Sequence, residues 1–258
     1  PCFCTAEELA EIREEQEKEN VKTGYYGKYA KYRDITPEKA KELIEKGLPF
    51  TVRLKSSGDE SNKIIVEDLI KGKIEMPQND EDFVILKSDG IPTYHFAHVV
   101  DDYLMGTTVV IRGDEWISSA PIHLQMFYLL KLKAPKYAHI APIMKLENGN
   151  KRKISKRKDP EAAVSYFFEA GFPKESILEY LLTLINSNFE DWRRANPTLD
   201  IYAFPFNLKK MSPSGCLFDL VKLNDISKNV ISVMKAETVY ELVSEWAQKY
   251  DEDFYKVF

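Results

Sequence analysis

The strongest constraint on the fold lies between residues 107 and 144, where two short apolar segments flank a segment of helical length. Residues 107–111 are rich in β-branched side chains and do not alternate with polar ones, which is typical of a buried parallel strand. Residues 116–132 have the length of a helix, and residues 137–144 form a second apolar strand. This order predicts a parallel, right-handed strand–helix–strand unit.

Ligands of such sheets bind beyond the carboxyl ends of the strands, so the residues that follow each strand are candidates for a binding site. Residues 112–115 follow the first predicted strand and residues 145–158 follow the second. Six of the eight residues 151–158 are Lys or Arg, and we call this stretch the basic segment. It is either a solvated loop or localisation-like patch, or a loop that closes on a polyphosphate, for which lysine is a suitable cation. The net charge of −5 does not by itself suggest nucleic-acid binding.

The rest of the chain predicts further elements. Thr5 with Glu8 predicts a capped helix to about residue 19, and Thr36-Pro37 predicts a second helix that stops at Gly47. Strands are predicted at 50–54, 63–67, 73–76 and 82–87, and a helix at 94–105. Beyond residue 158 we expect an all-helical lobe in which one helix has the apolar stripe Leu178, Leu181, Leu182 and Ile185.

Composition bounds the class of protein. The three cysteines, Cys2, Cys4 and Cys216, are too few for a disulfide framework and fit a reducing compartment. No run of about 18 apolar residues occurs, so no membrane span is predicted. Because residues 1–5 do not resemble a signal peptide, we expect a cytoplasmic protein whose start at Pro1 is a boundary within a longer chain.

Several segments together suggest a family. Residues 153–157 read Lys-Ile-Ser-Lys-Arg, and residues 111–116 read Ile-Arg-Gly-Asp-Glu-Trp. A third segment, residues 82–102, runs from the predicted strand at 82–87 into the predicted helix at 94–105. The first resembles the Lys-Met-Ser-Lys-Ser signature of class I aminoacyl-tRNA synthetases. The others, with residues 53–55 and 68–73, resemble the bacterial-type glutamyl-tRNA synthetases specifically. The resemblance runs from about residue 2 to residue 192.

The resemblance implies a fold with three parts. These are an α+β connective lobe for the acceptor stem at 1–92, the second half of a Rossmann-type catalytic domain at 93–158, and a helical stem-contact lobe at 159–258. The chain is thus expected to be α/β with α+β and all-α parts. The family's His-Ile-Gly-His motif does not occur in it. We therefore expect an internal fragment that lacks the first nucleotide-binding segment and most of the anticodon-binding region, and that is inactive alone.

The resemblance also implies a site. It gives Lys153 and Lys156 catalytic roles and, for ATP, adds Ser155, Ile143, Met144 and Glu115 to these lysines. For glutamate it implies Tyr94, Arg112, Trp116 and His98, the last where the family more often has Asn. The residues alone allow another interpretation, in which Tyr94 only packs against its neighbours and Arg112 forms an ion pair with Asp114 or Glu115. An arginine suits a carboxylate because its guanidinium forms a bidentate fork.

The expected reaction uses ATP with Mg²⁺ as substrate, glutamate and tRNA(Glu), in a monomer without membrane contact. Some members of the family bind structural zinc, and Cys2, Cys4 and Tyr25 occupy three of those ligand positions. Tyr29 replaces the fourth, a cysteine, so no structural zinc is expected. The alternatives are a glutaminyl-tRNA synthetase-like enzyme and a tRNA-binding module without catalysis.

Overall fold

The structure, a computed structural model, describes residues 1–257. The helices are α1 Ala6–Lys18, α2 Pro37–Glu45, α3 Tyr94–Leu104, α4 Ala120–Leu129, α5 Val164–Glu169, α6 Lys174–Ile185, α7 Phe189–Ala195, α8 Leu220–Ser232, α9 Ala236–Tyr250 and α10 Glu252–Tyr255. The strands are β1 Val52–Arg53, β2 Lys63–Asp68, β3 Gly72–Pro77, β4 Val84–Leu86, β5 Val109–Gly113, β6 Lys136–Ile140, β7 Ile143–Glu147, β8 Asn150–Lys153 and β9 Cys216–Leu217. None of the helices in this part of the chain is long and apolar enough to cross a membrane.

The chain divides into two compact units. The first comprises Pro1–Asp68, Gly72–Ile111 and Glu115–Tyr137, and the second comprises Leu69–Lys71, Arg112–Asp114 and the chain from Ala138 onward.

The first two helices begin where the sequence predicts. Thr5 forms a capping box with Glu8: the Glu8 N–H donates to Thr5 Oγ1 over 3.2 Å, and the Thr5 N–H donates to Glu8 Oε2 over 2.9 Å. Thr36 caps α2, and Pro37 takes its first position. Gly47 has a φ of +76° after the helix, a conformation that glycine adopts without strain. Both predicted helices are confirmed.

Strand β1 of the first unit is shorter than the predicted strand at 50–54. The segment predicted as a strand at 50–54 pairs with β4 only through Val52 and Arg53, with a register shift between them. Arg53 lies over the ring of Tyr25, with its guanidinium carbon 4.1 Å from the ring centroid. Val52 and Arg53 are both half-buried, so this short strand does not alternate between buried and exposed residues.

The largest sheet has the strand order β3-β2-β6-β5. Strands β2 and β3 form an antiparallel hairpin that closes at Gly72, and Asp68 of β2 pairs in parallel with Tyr137 of β6. The predicted burial of β5 is wrong for Ile111, whose side chain is 57% exposed while its neighbour Arg112 is buried. Strand β5 is an edge of this sheet, and successive side chains point to opposite faces.

Two other predictions about this region need correction. Residues 114–119 form a 3₁₀ helix, and the α-helix begins only at Ala120. The strand predicted at 137–144 is two strands, β6 and β7, separated at Ala141 and Pro142. Proline has no N–H to donate to a strand ladder, so the chain changes sheets there.

The core of the first unit forms where α3 packs on α4. Val99 of α3 contacts Ile122, Met126 and Phe127 of α4, and all four side chains are buried. A smaller cluster joins Cys2, Tyr25 and Ala30. The first cluster thus joins the buried side chains of α3 and α4.

In the second unit, β7 has neighbours on both sides. It forms an antiparallel hairpin with β8 through the turn Asn148-Gly149, whose φ angles of +51° and +79° suit this dipeptide. On the other side it pairs in parallel with β9, as Ile143 with Cys216 and Met144 with Leu217. The prediction of an all-helical lobe beyond residue 158 is therefore wrong at β9.

The helices of the second unit pack through aromatic rings. Tyr180 of α6 is fully buried against Phe218, with ring centroids 5.7 Å apart, and its hydroxyl accepts from the Asp219 N–H. Leu178, predicted to belong to the buried stripe, is 37% exposed instead. The buried face of α6 is centred on Tyr180 and Ser176, because the larger aromatic ring occupies the interior.

Candidate functional site

The basic segment begins on β8 and ends in a tight turn. Lys153 is the last residue of β8, so the loop after it follows an antiparallel strand of the hairpin. The sequence interpretation, in which this loop follows a parallel strand, is therefore wrong. The N–H groups of Lys158 and Asp159 both donate to the Ser155 carbonyl, over 3.0 and 2.8 Å. The side chains of Lys153, Lys156, Arg157 and Lys158 are exposed around this turn. The turn thus presents a dense group of cations to solvent.

A buried carboxylate lies beneath the turn. Asp159 is only 3% exposed, and its Oδ2 accepts from the Ser155 N–H over 2.9 Å. Arg152 of β8 donates to both carboxylate oxygens, over 2.6 and 2.8 Å. These hydrogen bonds, first that of Arg152 and then that of Ser155, hold the pKa of the Asp159 carboxyl well below its usual range. Asp159 therefore stays ionised at neutral pH.

The predicted adenine residues lie at the start of β7. The Ile143 carbonyl accepts from the Ile154 N–H over 3.0 Å, and the Met144 carbonyl accepts from the Phe218 N–H over 2.8 Å. Both carbonyls are therefore engaged with neighbouring segments. Lys153 is the register partner of Met144, which places two predicted ATP residues side by side on the hairpin.

In the first unit, the structure brings together three residues predicted for the amino acid. Tyr94 begins α3, and its ring centroid is 4.3 Å from that of Trp116 and 5.8 Å from that of His98. The Tyr94 and His98 rings are stacked, with 13° between their planes. Tyr94 remains 45% exposed, so one side of this aromatic group is open to a ligand. The spacing of four residues on one helix face accounts for the stacking.

His98 itself lies inside the unit. It is 5% exposed; its Nδ1 contacts Asp102 Oδ2, and its Nε2 forms a 2.9 Å hydrogen bond with the Tyr137 hydroxyl. The ring of His123 is 4.6 Å away, and His123 Nε2 is 3.0 Å from His95 Nδ1. Both nitrogens of His98 are thus engaged with protein groups, so a direct hydrogen bond to a ligand would require one of these contacts to be exchanged.

Arg112 belongs to the second unit. It is buried, and its Nε donates to His139 Nε2 over 3.0 Å. Asp114, a predicted partner of Arg112, has its Oδ2 3.4 Å from Lys71 Nζ. Glu115, predicted near the ribose of ATP, is exposed in the first unit.

Cys4 lies beside Tyr25 in the first unit. Cys4 Sγ is 4.0 Å from the Tyr25 hydroxyl, which accepts from the Tyr32 N–H over 2.8 Å. Burial raises the pKa of the Cys4 thiol to about 11 and also raises the pKa of the Tyr25 phenol. Within residues 1–257, no group of three or more His, Cys, Asp or Glu side chains is placed to hold a metal ion.

Sequence reasoning missed two residues that shape the site. Asp159 directly follows the basic segment, and an acid directly after a run of cations was an available signal for an internal ion pair. Gly215 precedes β9, and a Cβ there would lie 2.8 Å from Met144 Cγ and 2.8 Å from the Pro142 carbonyl oxygen. Because β9 was not predicted, nothing in the sequence indicated this close approach.

Comparison with known proteins places these features in a family. The sequence profile of the tRNA synthetases class I (E and Q), catalytic domain, matches residues 1–193. The glutamate–tRNA ligase of Clostridium perfringens (strain 13 / Type A) is 56% identical over 255 residues, covering 99% of this chain and 47% of that protein. That of Clostridium beijerinckii is 55% identical over 257 residues, with 100% and 46% covered. The chain therefore spans about half the length of these relatives.

A solved structure agrees with the sequence relatives. The crystal structure of a glutamate tRNA ligase from Elizabethkingia meningosepticum in complex with its amino acid superposes with a TM-score of 0.76 and 25% identity. The match covers 97% of this chain and 53% of that one. The predicted fold class, a class I synthetase catalytic domain with mixed sheets and helices, is confirmed. The chain belongs to the class I tRNA synthetases of the E and Q type.

Proposed function

We propose that the protein to which this chain belongs is a glutamate–tRNA ligase. It would join ATP and glutamate into glutamyl-adenylate with release of pyrophosphate, and then transfer the glutamyl group to the terminal ribose of tRNA(Glu) with release of AMP. The observation that carries the proposal is the basic segment, an anchored turn with exposed cations. Its similarity to the family's signature and the names of the relatives support the same reading.

Each predicted ATP residue receives a role that its chemistry suits. Lys153 and Lys156 would stabilise the negative charge on the phosphates as the glutamate carboxylate attacks the α-phosphorus. Ser155 would contribute its hydroxyl, Ile143 and Met144 would border the adenine, and Glu115 would contact the ribose. Mg²⁺ enters as part of the ATP substrate. Because no covalent enzyme intermediate is needed, catalysis rests on orientation and electrostatics.

For the amino acid, the proposal keeps Tyr94, His98 and Trp116, whose rings lie together in the first unit. The role of Arg112 remains a prediction from the family resemblance. Since both ring nitrogens of His98 are engaged by Asp102 and Tyr137, its role is to support the Tyr94 ring by stacking. The division into an acceptor-stem lobe at 1–92, a catalytic half at 93–158 and a stem-contact lobe at 159–258 remains a prediction, as does a monomeric state.

A second candidate is a glutamine-specific enzyme, because the matched family includes both the E and the Q type. A hybrid enzyme separates the two. This chain would replace the matching 255 residues of the Clostridium perfringens ligase, and tRNA-dependent ATP–pyrophosphate exchange would be measured with glutamate or glutamine.

Exchange with glutamate only is the expected result, with no exchange by this chain alone. Preference for glutamine would favour the second candidate. Absence of exchange in a folded hybrid that still binds tRNA would favour an RNA-binding module without catalysis, whose affinity would fall steeply with salt.

A further inference from the structure

Asp159 closes the turn at Ser155 twice, once through its backbone and once through its carboxylate. Its backbone N–H donates to the Ser155 carbonyl over 2.8 Å, and its Oδ2 accepts from the Ser155 N–H over 2.9 Å. Both polar groups of the Ser155 backbone are therefore held by one residue. The turn that contains Lys156, Arg157 and Lys158 is fixed at both ends.

The same carboxylate also fastens the turn to the hairpin. Arg152 binds Asp159 with both terminal nitrogens, and its Nε and Nη2 reach Glu147 of β7 over 2.8 and 3.1 Å. Lys145 of β7 lies 3.5 Å from Asp159 Oδ1 and is paired with Glu161. Asp159 is thus the shared partner of one cation from each hairpin strand, and a bidentate fork restricts its orientation.

Electrostatic attraction to a ligand does not explain why Asp159 lies beneath a turn that would bind phosphates. A carboxylate beside a polyphosphate site repels the ligand, so removing it would strengthen binding by Coulomb's law. Its benefit must come from geometry. Among residues 1–257, no carboxylate pairs with Lys156 or Arg157, so the acids of the network engage Arg152 and Lys145 and leave these two cations to face solvent.

We propose that Asp159 is a positioning residue that holds the basic segment in the shape that binds the phosphates of ATP. It touches no substrate and acts through the Ser155 backbone and Arg152. The inference rests on the proposed function for the identity of the ligand, but the ordering of the turn is a property of this chain that can be measured without ATP.

The test uses Asp159→Asn and, as matched control, Glu161→Gln. Each removes one negative charge from the same network, but Glu161 makes no bond to the turn. Binding of Mg·ATP is measured by calorimetry in the hybrid enzyme, and ordering of the turn is measured in this chain by the rate of tryptic cleavage after Lys156, Arg157 and Lys158. We expect Asp159→Asn to bind about tenfold more weakly and to be cleaved about tenfold faster. Glu161→Gln should bind equally or more tightly, with unchanged cleavage.

Arg152→Lys guards against a variant that fails to fold, because it keeps the charge and removes the fork. It should shift both readouts in the same direction as Asp159→Asn, by a smaller factor. Coulomb's law alone predicts that Asp159→Asn binds Mg·ATP more tightly. Binding by this variant that is equal to or tighter than that of wild type would overturn the proposal. If the wild-type hybrid enzyme does not bind Mg·ATP, the nucleotide role of Asp159 fails with the proposed function. Unchanged cleavage in Asp159→Asn would instead refute the anchoring itself.

Discussion

Replacing Gly215 by alanine tests how tightly β9 is packed on β7. The new Cβ would lie 2.8 Å from both Met144 Cγ and the Pro142 carbonyl oxygen, whereas carbon contacts prefer about 3.5–4.0 Å. The contact between Cβ and Met144 Cγ must open by roughly 0.7 Å or more, and the contact between Cβ and the Pro142 oxygen is also too short to persist. The Met144 side chain can rotate, but the Pro142 oxygen belongs to the backbone. We expect a loss of about 1–3 kcal/mol in the free energy of unfolding.

Urea denaturation followed by tryptophan fluorescence measures this loss, with the adjacent exposed Ser214→Ala as control, for which a change within about 0.5 kcal/mol is expected. In a Met144→Ala background, Gly215→Ala should cost less, because only the Pro142 contact remains. A Gly215→Ala variant as stable as wild type would refute the reasoning. An undiminished cost in the Met144→Ala background would show that the side chain contributes nothing to the clash.

Three further predictions concern the two units separately. Lys156→Ala in the hybrid enzyme should lower glutamate-dependent pyrophosphate exchange by about 10²-fold or more while tRNA affinity falls less than about tenfold, as exchange and filter-binding assays would report. Because the folded pKa of Asp159 is depressed by Arg152, its stabilisation is present above the ordinary value of 3.8 and is lost as pH falls through the folded pKa. Unfolding of wild type and Asp159→Asn should therefore converge below pH 3.8. Gly58→Ala should destabilise more than Gly215→Ala in the same urea assay, because its Cβ would lie 2.2 Å from the backbone oxygen of Asn79.

Local patterns predicted the local elements well. The capping box at Thr5 and the Pro37 helix start each depend on residues within a few positions of one another, and both occur. The association of Tyr94 with His98 also follows from helical spacing.

Features that depend on distant residues could not be read in this way. Strand β9 has only two residues and exists because β7 offers it an edge, and Tyr180 displaces Leu178 from the interior because Phe218 lies opposite. The partners of His98 come from α3 itself and from β6, so its burial depends on a contact 39 residues away. A short periodic pattern contains no information about such partners.

The parallel pairing of β7 with β9 has a consequence for the order of folding. The β7–β8 hairpin is local and can close within microseconds, but its second neighbour lies about 70 residues further along the chain. During synthesis the hairpin therefore exists for a time with one edge of β7 unpaired, a template for pairing with other chains. Closing so long a loop slows completion of the sheet. Nascent chains stalled before residue 216 should consequently depend most on chaperones that shield exposed strand edges.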